Sequence, residues 1–585
     1  CSLDRDMEID EQSAFADFDA FVHRLHAYVC ELADAAISDG LHTLGEPPQG
    51  ARLVEFLAQL VRLPNGEVPS LRAQIAQSWG YDYDAMLRGR GAPDPSGRFP
   101  SYGVALEAVH AEALRVLQAL CDGDSSACDD GPLAPTLRYV RDSLIPRLEQ
   151  TSEELGAIRS GLDGHHVLPG GSGAPTRGMA DVLPSGRNFY TVDPGKLPSP
   201  AAWEVGVALG DAMVERYRSE TGSLPETIGM VVWSTPTMRT MGEDIAQILY
   251  LMGVRPRWNA TSGRVEGVAP IPLAELKFPR IDVTLRISGL FRDTFPNLMA
   301  MVDDAVQMVA MLNELPEQNM LRRNVLRERD ELVQRGIDPE AALRDASFRV
   351  FTEPPGAYGT GIGEMIEAQA WQDRADLAEI FISWGGYAYG RGVYGAARHA
   401  TFRQRLAGIQ LVVKNEDTRE YDLYSDDDWG TYLGGFGLAV QTVSGRAPLA
   451  YSGDASDPQR LVYRDTQQES RRLFRTRILN PKWIAGLQRH GFKGAGDMAH
   501  TIDNAFVWSA VGDVVEDWMY ADMAQRYTLD EAMQQWMRAV NPHALQSILA
   551  RLLEAITRGM WQADDAMKER LSRLYLEVEG DIEER

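Results

Sequence analysis

Three short apolar runs, each followed by a polar stretch, constrain this chain more than anything else in it. They are IGMVVWS (228–234), DVTLRIS (282–288) and LAGIQLVVKN (406–415). Each is short enough for a buried strand, and helical patterns stand between them. Residues 201–222 and 242–253 have helical spacing, and 295–313, FPNLMAMVDDAVQMVAMLN, is a strong amphipathic helix. VRPRW (254–258) reads as a further short strand. Strands alternating with helices imply a parallel sheet, because a parallel pair needs a crossover and a helix supplies it.

The sheet region is only part of the chain. Single hydrophobic cores stop growing near ~250–300 residues, so the 585 residues require more than one domain. Residues 1–160 read as mainly helical: Phe15, Phe18, Phe21, Val22, Leu25 and Val29 recur at helical spacing, and Gly40 closes that run. Residues 161–200 are rich in Gly and Pro and have no period, so they form a long linker carrying an exposed His165–His166 pair. Residues 201–460 form the α/β core, and 461–585 are helical again. The expected fold class is therefore multidomain α/β, with a helical region on each side of a parallel-sheet core.

Net charge is -26, which opposes a nucleic-acid partner, since phosphate binding needs a basic footprint. It does not oppose a small anion held by a local Arg cluster. No run of about 18 apolar residues occurs, so no membrane span is expected. The acidic, polar N-terminus does not read as a signal peptide, and a cytoplasmic protein is expected. Four cysteines in this length fit reduced thiols. Cys121 and Cys128 match no zinc module. Cys1 stands where a Met would open a full frame, which suggests a fragment, a split subunit or an intein-processed product.

Ligands of open α/β sheets bind beyond the carboxyl ends of the strands. There the sequence offers TPTMRTMGED after the first run, GLFRDTFPN after the second and EDTREYDLYSDDDWG after the third. Glu243 opens a helix, where a carboxylate either interacts with the helix dipole or accepts protons and escorts a metal. Arg286 and Arg292 flank the second strand's end. They either pair with a neighbour such as Asp293 or fork a ligand carboxylate. The acidic run 416–428 lacks the spacing of a calcium loop and reads as a solvated loop. WGGYAYGRG and PPGAYGTGIGE combine Gly with aromatic rings, so backbone can approach a flat ligand while Trp384 or Tyr387 stacks on it. No GK[ST] follows either segment, and no ATP site is present. Two histidines stand out, His42 and His490, each beside a Gly turn that ends a helix.

These segments resemble the large subunit of cobaltochelatase and its magnesium chelatase relatives. The resemblance runs in order from about residue 15 to 575. It is carried by DGLHTLG, PSGRNFYTVDPGKLPSPAAWE, VVWSTPTMRTMGEDIAQILYLMGVRP, DVTLRISGLFRDTFPN, PPGAYGTGIGE, WQDRADLAEIFISWGGYAYGRG, RILNPKWIAGLQRHGFKGA and VVEDWMYADMAQRYTLD. WGGYAYGRG is more similar to the cobalt branch. The resemblance implies the C-terminal half of a large subunit that binds the macrocycle while Co(II), as substrate, is inserted into hydrogenobyrinic acid a,c-diamide. ATP is then used by partner subunits and not bound here. Those partners are an AAA+ ATPase and an integrin-domain-bearing subunit, with a separate N-terminal half chain as a further partner. Glu243 and His490 are the implied catalytic residues. Asn188, Asp193, Arg286, Arg292, Asp293, Trp384 and Tyr387 are implied to bind substrate, and Glu243, His42 and His490 to ligate the metal. The alternatives are a magnesium chelatase acting on protoporphyrin IX and a non-catalytic carrier of a tetrapyrrole or cobalt. The chain departs from the family pattern at DDDWGTYLGGF and at Ser452, where an aromatic-plus-His stretch and a His are expected.

Overall fold

A computed structural model of the chain describes residues 18–33, 37–188 and 192–584. Cys1 and Phe15, which the sequence reading uses, lie outside them. The chain divides into two compact units. One comprises the residues up to Val192 with Arg475–Trp483, the other Asp193–Phe474 with Ile484–Arg585. The helices that follow the sheet thus belong to the sheet's own unit, apart from one short segment.

The first unit is helical. Helices Ala51–Leu60, Leu71–Ser78 and Tyr102–Cys121 turn one apolar face each into a common core. Val54 and Leu57 meet Ile75, Val109 and Leu117 there. Ser70 and Ser101 cap two of these helices by accepting from the amides of Ala73 and Val104. The Gly/Pro-rich stretch is partly packed: Ala180 is buried in this core and its amide donates to Asn65. His165 and His166 are exposed.

The second unit is built on an eight-stranded sheet. Its strands are β1 (Thr227–Val232), β4 (Asp282–Ile287), β5 (Val350–Thr352), β6 (Tyr387–Gly390), β7 (Val393–Ala397), β8 (Leu411–Glu416), β9 (Leu449–Asp454) and β10 (Val462–Asp465). The remaining two, β2 (Val254–Trp258) and β3 (Val265–Pro270), form a separate antiparallel ribbon. Strand order in the large sheet is β10-β9-β8-β1-β4-β5-β6-β7. The five strands from β9 to β5 run parallel, while β10 and the β6–β7 hairpin are antiparallel edges.

Every residue of β1, β4 and β8 is buried. Successive side chains alternate between the two faces, so both faces of the sheet centre are covered. Helices Pro200–Thr221 and Glu243–Leu251 pack closely because Gly206 faces Ala246, where an added Cβ would lie 2.5 Å from the alanine's own. No helix among the described residues is long and apolar enough to cross a membrane.

One expectation is corrected. VRPRW does form a strand, but in the ribbon and not the large sheet. Its residues alternate between buried and exposed, with Arg255 and Arg257 outward, so only one face has a core to meet. Within WGGYAYGRG, Tyr387–Gly390 forms a strand hydrogen-bonded to β5 on one side and to the edge strand β7 on the other.

Candidate functional site

Strand order places the site. From β1 the chain proceeds to β4 and β5 on one side, and from β8 to β9 and β10 on the other. The connections leaving β1 and β8 therefore diverge, and the carboxyl ends of these neighbours flank a topological switch point. Past β1 stand Trp233, Ser234 and Arg239; past β8 stand Asp417 and the acidic run.

The acidic run is not a solvated loop at its start, which corrects that reading. Glu416 ends β8, and both it and Asp417 are buried. The Arg239 guanidinium grips Asp417 with two hydrogen bonds of 2.9 and 2.7 Å, joining the loop after β1 to the loop after β8. Lys414, 2% exposed, sits in an aromatic box. Its ammonium lies 3.7 Å from the ring centres of both Trp233 and Trp429 and 3.4 Å from Glu416. Trp233 also meets Tyr432 edge-on at 5.8 Å, and Tyr432 stacks over the Arg286 guanidinium at 5.0 Å.

Carboxylates crowd this end of the sheet, and their charges are disfavoured. Asp428 is exposed to water, although protein atoms crowd around its carboxyl. Burial, then repulsion from Asp426 and Asp427, pushes its carboxyl up to about 7, against an attraction from Lys414. Burial also raises Asp426 and Glu420. Glu416 rises too: burial dominates, Lys414 and Arg239 oppose it, and Asp417 reinforces it. A carboxylate poised near neutrality can accept a proton and release it again.

Glu353, the residue after β5, is the member of this group that the sequence reading missed. It is fully buried. Its Oε2 accepts from Arg286 Nη1 at 2.8 Å and from Thr352. Its Oε1 has no hydrogen-bond partner, and neither do Ser234 Oγ and the indole nitrogens of Trp233 and Trp429. Four such atoms beyond the strand ends are costly, since an unmade buried hydrogen bond costs ~1–3 kcal/mol. The charge of Glu353 reaches both Asp428 and Tyr432 and raises each. The rule applied to the other strands, a polar stretch directly after an apolar run, also picks out Glu353. The signal was lost because β5 is three residues long.

The predicted site residues are distributed as follows. Glu243 is buried in the first turn of its helix, after β1, and its amide donates to Thr240. Arg286 and Arg292 are fully buried, and their hydrogen bonds run to protein acceptors. Arg286 also donates to the carbonyls of Ile287 and Gly359. Arg292 pairs with Asp293 through Nε and Nη2 at 2.7 and 2.8 Å, and its Nη1 donates to the carbonyls of Pro354 and Ala357. Both arginines thus pin the loop after β5. Trp384 and Tyr387 are half-buried: Trp384 packs on Gly361, and Tyr387 meets His399 edge-on at 5.1 Å. Asp193 caps a short turn and pairs with Arg264 at 2.6 Å. His490 precedes helix Gly491–Val511, so Gly491 opens a helix as well as following one. In the first unit, Asn188 bonds to the backbone of Leu168 and Gly170, and His42 lies 2.8 Å from Glu154. Among the described residues no three His, Cys, Asp or Glu side chains form a group able to hold a metal ion. Of the expected ligands, His42 already has a carboxylate partner.

The same chain can be set beside known proteins. The family described as CobN/Magnesium Chelatase matches residues 1–568. The aerobic cobaltochelatase subunit CobN of Pseudomonas aeruginosa is 39% identical over 98% of this chain and 48% of its own length. A magnesium-chelatase subunit of Chlorobaculum parvum is 31% identical over 97% of this chain and 45% of its own. Among solved structures, the catalytic subunit of cobaltochelatase from Mycobacterium tuberculosis superposes with a TM-score of 0.90 at 39% identity, covering 99% of this chain and 48% of that one. The chain thus spans about half the length of these relatives. With the parallel sheet, the polar strand ends and a match running almost the whole chain in agreement, the chain belongs to the CobN/magnesium chelatase family.

Proposed function

We propose that this chain is the macrocycle-binding part of a cobaltochelatase. It acts in the cytoplasm on a corrinoid of the hydrogenobyrinic acid a,c-diamide type, with Co(II) as the second substrate. ATP is hydrolysed on separate AAA+ and integrin-domain-bearing subunits. The observation that carries the reading is the 39% identity to a cobaltochelatase subunit over 98% of the chain, against 31% for a magnesium-chelatase subunit.

The chemistry asks for a base. A divalent metal enters the ring as two N–H bonds break; each nitrogen keeps its electron pair and donates it to the metal, and two protons leave. Asp428, near neutrality and in contact with water, accepts such a proton and returns it to solvent. Burial, Asp426 and Asp427 hold the Asp428 carboxyl up, and the buried Glu353, with one free oxygen, adds a smaller push.

The test is reconstitution of cobalt insertion from this chain, the partner ATPase subunits and a chain supplying the other half of the relatives' length. Metal insertion into hydrogenobyrinic acid diamide but not protoporphyrin IX is the expected result. Magnesium insertion into protoporphyrin IX would favour the magnesium reading. Macrocycle binding without insertion by the full assembly would favour a carrier.

A further inference from the structure

Two exposed rings stand beside the site in an arrangement that the metal chemistry does not explain. Tyr358 is 57% exposed and Tyr394 is 53% exposed, yet neither phenol is free to swing. Both donate to one carboxylate, Asp293: Tyr358 at 2.8 Å to Oδ2 and Tyr394 at 3.1 Å to Oδ1. Asp293 is in turn gripped by the fully buried Arg292, whose remaining hydrogens hold the loop that carries Tyr358. Arg292 also underlies the Tyr358 ring, its guanidinium carbon 5.3 Å from the ring centre. Tyr394 is braced from the other side by the buried Tyr389, edge-on at 5.1 Å. Tyr389 is itself tied to the Glu353 carbonyl at 2.6 Å.

Exposed tyrosines ordinarily keep their rotamer freedom and lose it on binding, which costs affinity. Here that freedom is already removed by charge-assisted bonds. The bonds persist at working pH: Arg292 holds the Asp293 carboxyl down at about 2, and the phenols rise further, Tyr358 through Asp293 and Tyr394 through burial and then Asp293. Rigid, water-facing aromatic faces fit a broad conjugated ligand, which gains stacking area at little entropic cost. The position is also right. At Gly289, just past β4, an added Cβ would lie 2.4 Å from Glu353 Oε1 and 2.7 Å from the edge of the Tyr358 ring. The platform therefore abuts the buried carboxylate, and only the missing side chain of Gly289 leaves room between them.

We propose that Tyr358 and Tyr394, locked by Asp293 and Arg292, form the stacking platform for the conjugated macrocycle. In this assignment Trp384 and Tyr387 are packing residues, and Arg292 and Asp293 are positioning residues that do not contact the ligand's acidic side groups. The inference rests on the proposed function for its choice of ligand.

The experiment uses the chain as it stands, with hydrogenobyrinic acid a,c-diamide as probe and quenching of tryptophan emission as the readout. Tyr358→Leu and Tyr394→Leu are each expected to weaken binding about three- to tenfold, from ~0.5–1.5 kcal/mol per aromatic contact at 1.4 kcal/mol per decade. Both residues are on the surface, so the fold is expected to survive, and circular dichroism checks this. Tyr358→Phe keeps the ring and loses the lock, so a smaller loss is expected; Asp293→Asn loosens both rings and should exceed it. Wild-type binding with no weakening in either leucine variant overturns the platform. Absence of wild-type binding overturns the proposed function instead, so the two failures are distinct. Weakening by Trp384→Leu equal to that by Tyr358→Leu would return the stacking role to the half-buried pair and also overturn the assignment.

Discussion

Asp428 offers the sharpest prediction. With its carboxyl near 7, about a tenth is ionised at pH 6 and about nine tenths at pH 8. The rate of cobalt insertion should therefore rise about tenfold per pH unit below neutrality and level off above it. Asp427→Asn removes one repulsion and should move this limb to lower pH. Lys414→Met removes an attraction and should move it to higher pH. A single charge at this range beside water shifts the limb by about half a unit to one unit. Asp428→Asn should reduce insertion by roughly 10²–10⁴-fold, the contribution of one general base, with macrocycle binding intact. Stability should move the other way. The folded protein binds the Asp428 proton more tightly than the unfolded chain, whose carboxyl titrates near 3.8. This contribution is fully present below about 3.8 and is lost as the pH rises through about 7. The full shift would be worth several kcal/mol, but the group faces water, so about 1 kcal/mol is the realistic size. Asp428→Asn should thus melt ~1–2 °C above wild type at pH 8 and level with it at pH 4. Opposite shifts of the rate limb by Asp427→Asn and Lys414→Met are the core of the reasoning. If the limb stays in place in both variants, or if Asp428→Asn inserts cobalt at the wild-type rate, the carboxylate is not the base.

The packing supports three more tests. Arg349→Ala strips the fully buried Asp282 of its bonds at 2.6 and 3.0 Å, which should destabilise the protein by ~3–5 kcal/mol in urea unfolding; Arg349→Ala with Asp282→Ala should recover part of that loss. Gly206→Val forces a side chain against Ala246 at the closest approach of two helices and should cost ~1–3 kcal/mol, read as a lower urea midpoint with unchanged slope. Gly289→Ala pushes on both Glu353 and Tyr358, so it should impair macrocycle binding and insertion together, whereas Glu353→Gln should leave binding intact and shift the rate limb to lower pH.

What the sequence revealed and what it withheld divide along a physical line. β1, β4 and β8 were legible because strands buried on both faces must be apolar over their whole length, and few other segments in this chain are. β5 is too short for a period, and β6, β7, β9 and β10 lie toward the edges, where half-polar sequences such as YAYG and YSGD serve a strand as well as a loop. VRPRW carried its own warning, since an outward Arg at every second position describes a ribbon with one dry face. The strand-end rule located the neighbourhood of the site, because topology alone puts those loops together. Pairing was not legible at all. Arg286 meets Glu353 across 67 positions, and Arg239 meets Asp417 across 178. Composition cannot show such partners, so a solvated acidic run and one whose first two carboxylates are buried look alike until the strands are placed.

The same limit explains the aromatic residues. A Trp in a Gly-rich segment suggests stacking, but a ring is available to a ligand only where the fold leaves it outside. Trp384 is half-buried against Gly361, while Tyr358 and Tyr394, unremarkable in sequence, stay exposed and are held still. The arginines follow the same reasoning in reverse. Arg286 and Arg292 invite a ligand carboxylate when read alone, but burial of a guanidinium demands acceptors, and the fold supplies them as loop carbonyls and two carboxylates. Their binding energy is thereby used to fix a loop and two rings before any ligand arrives.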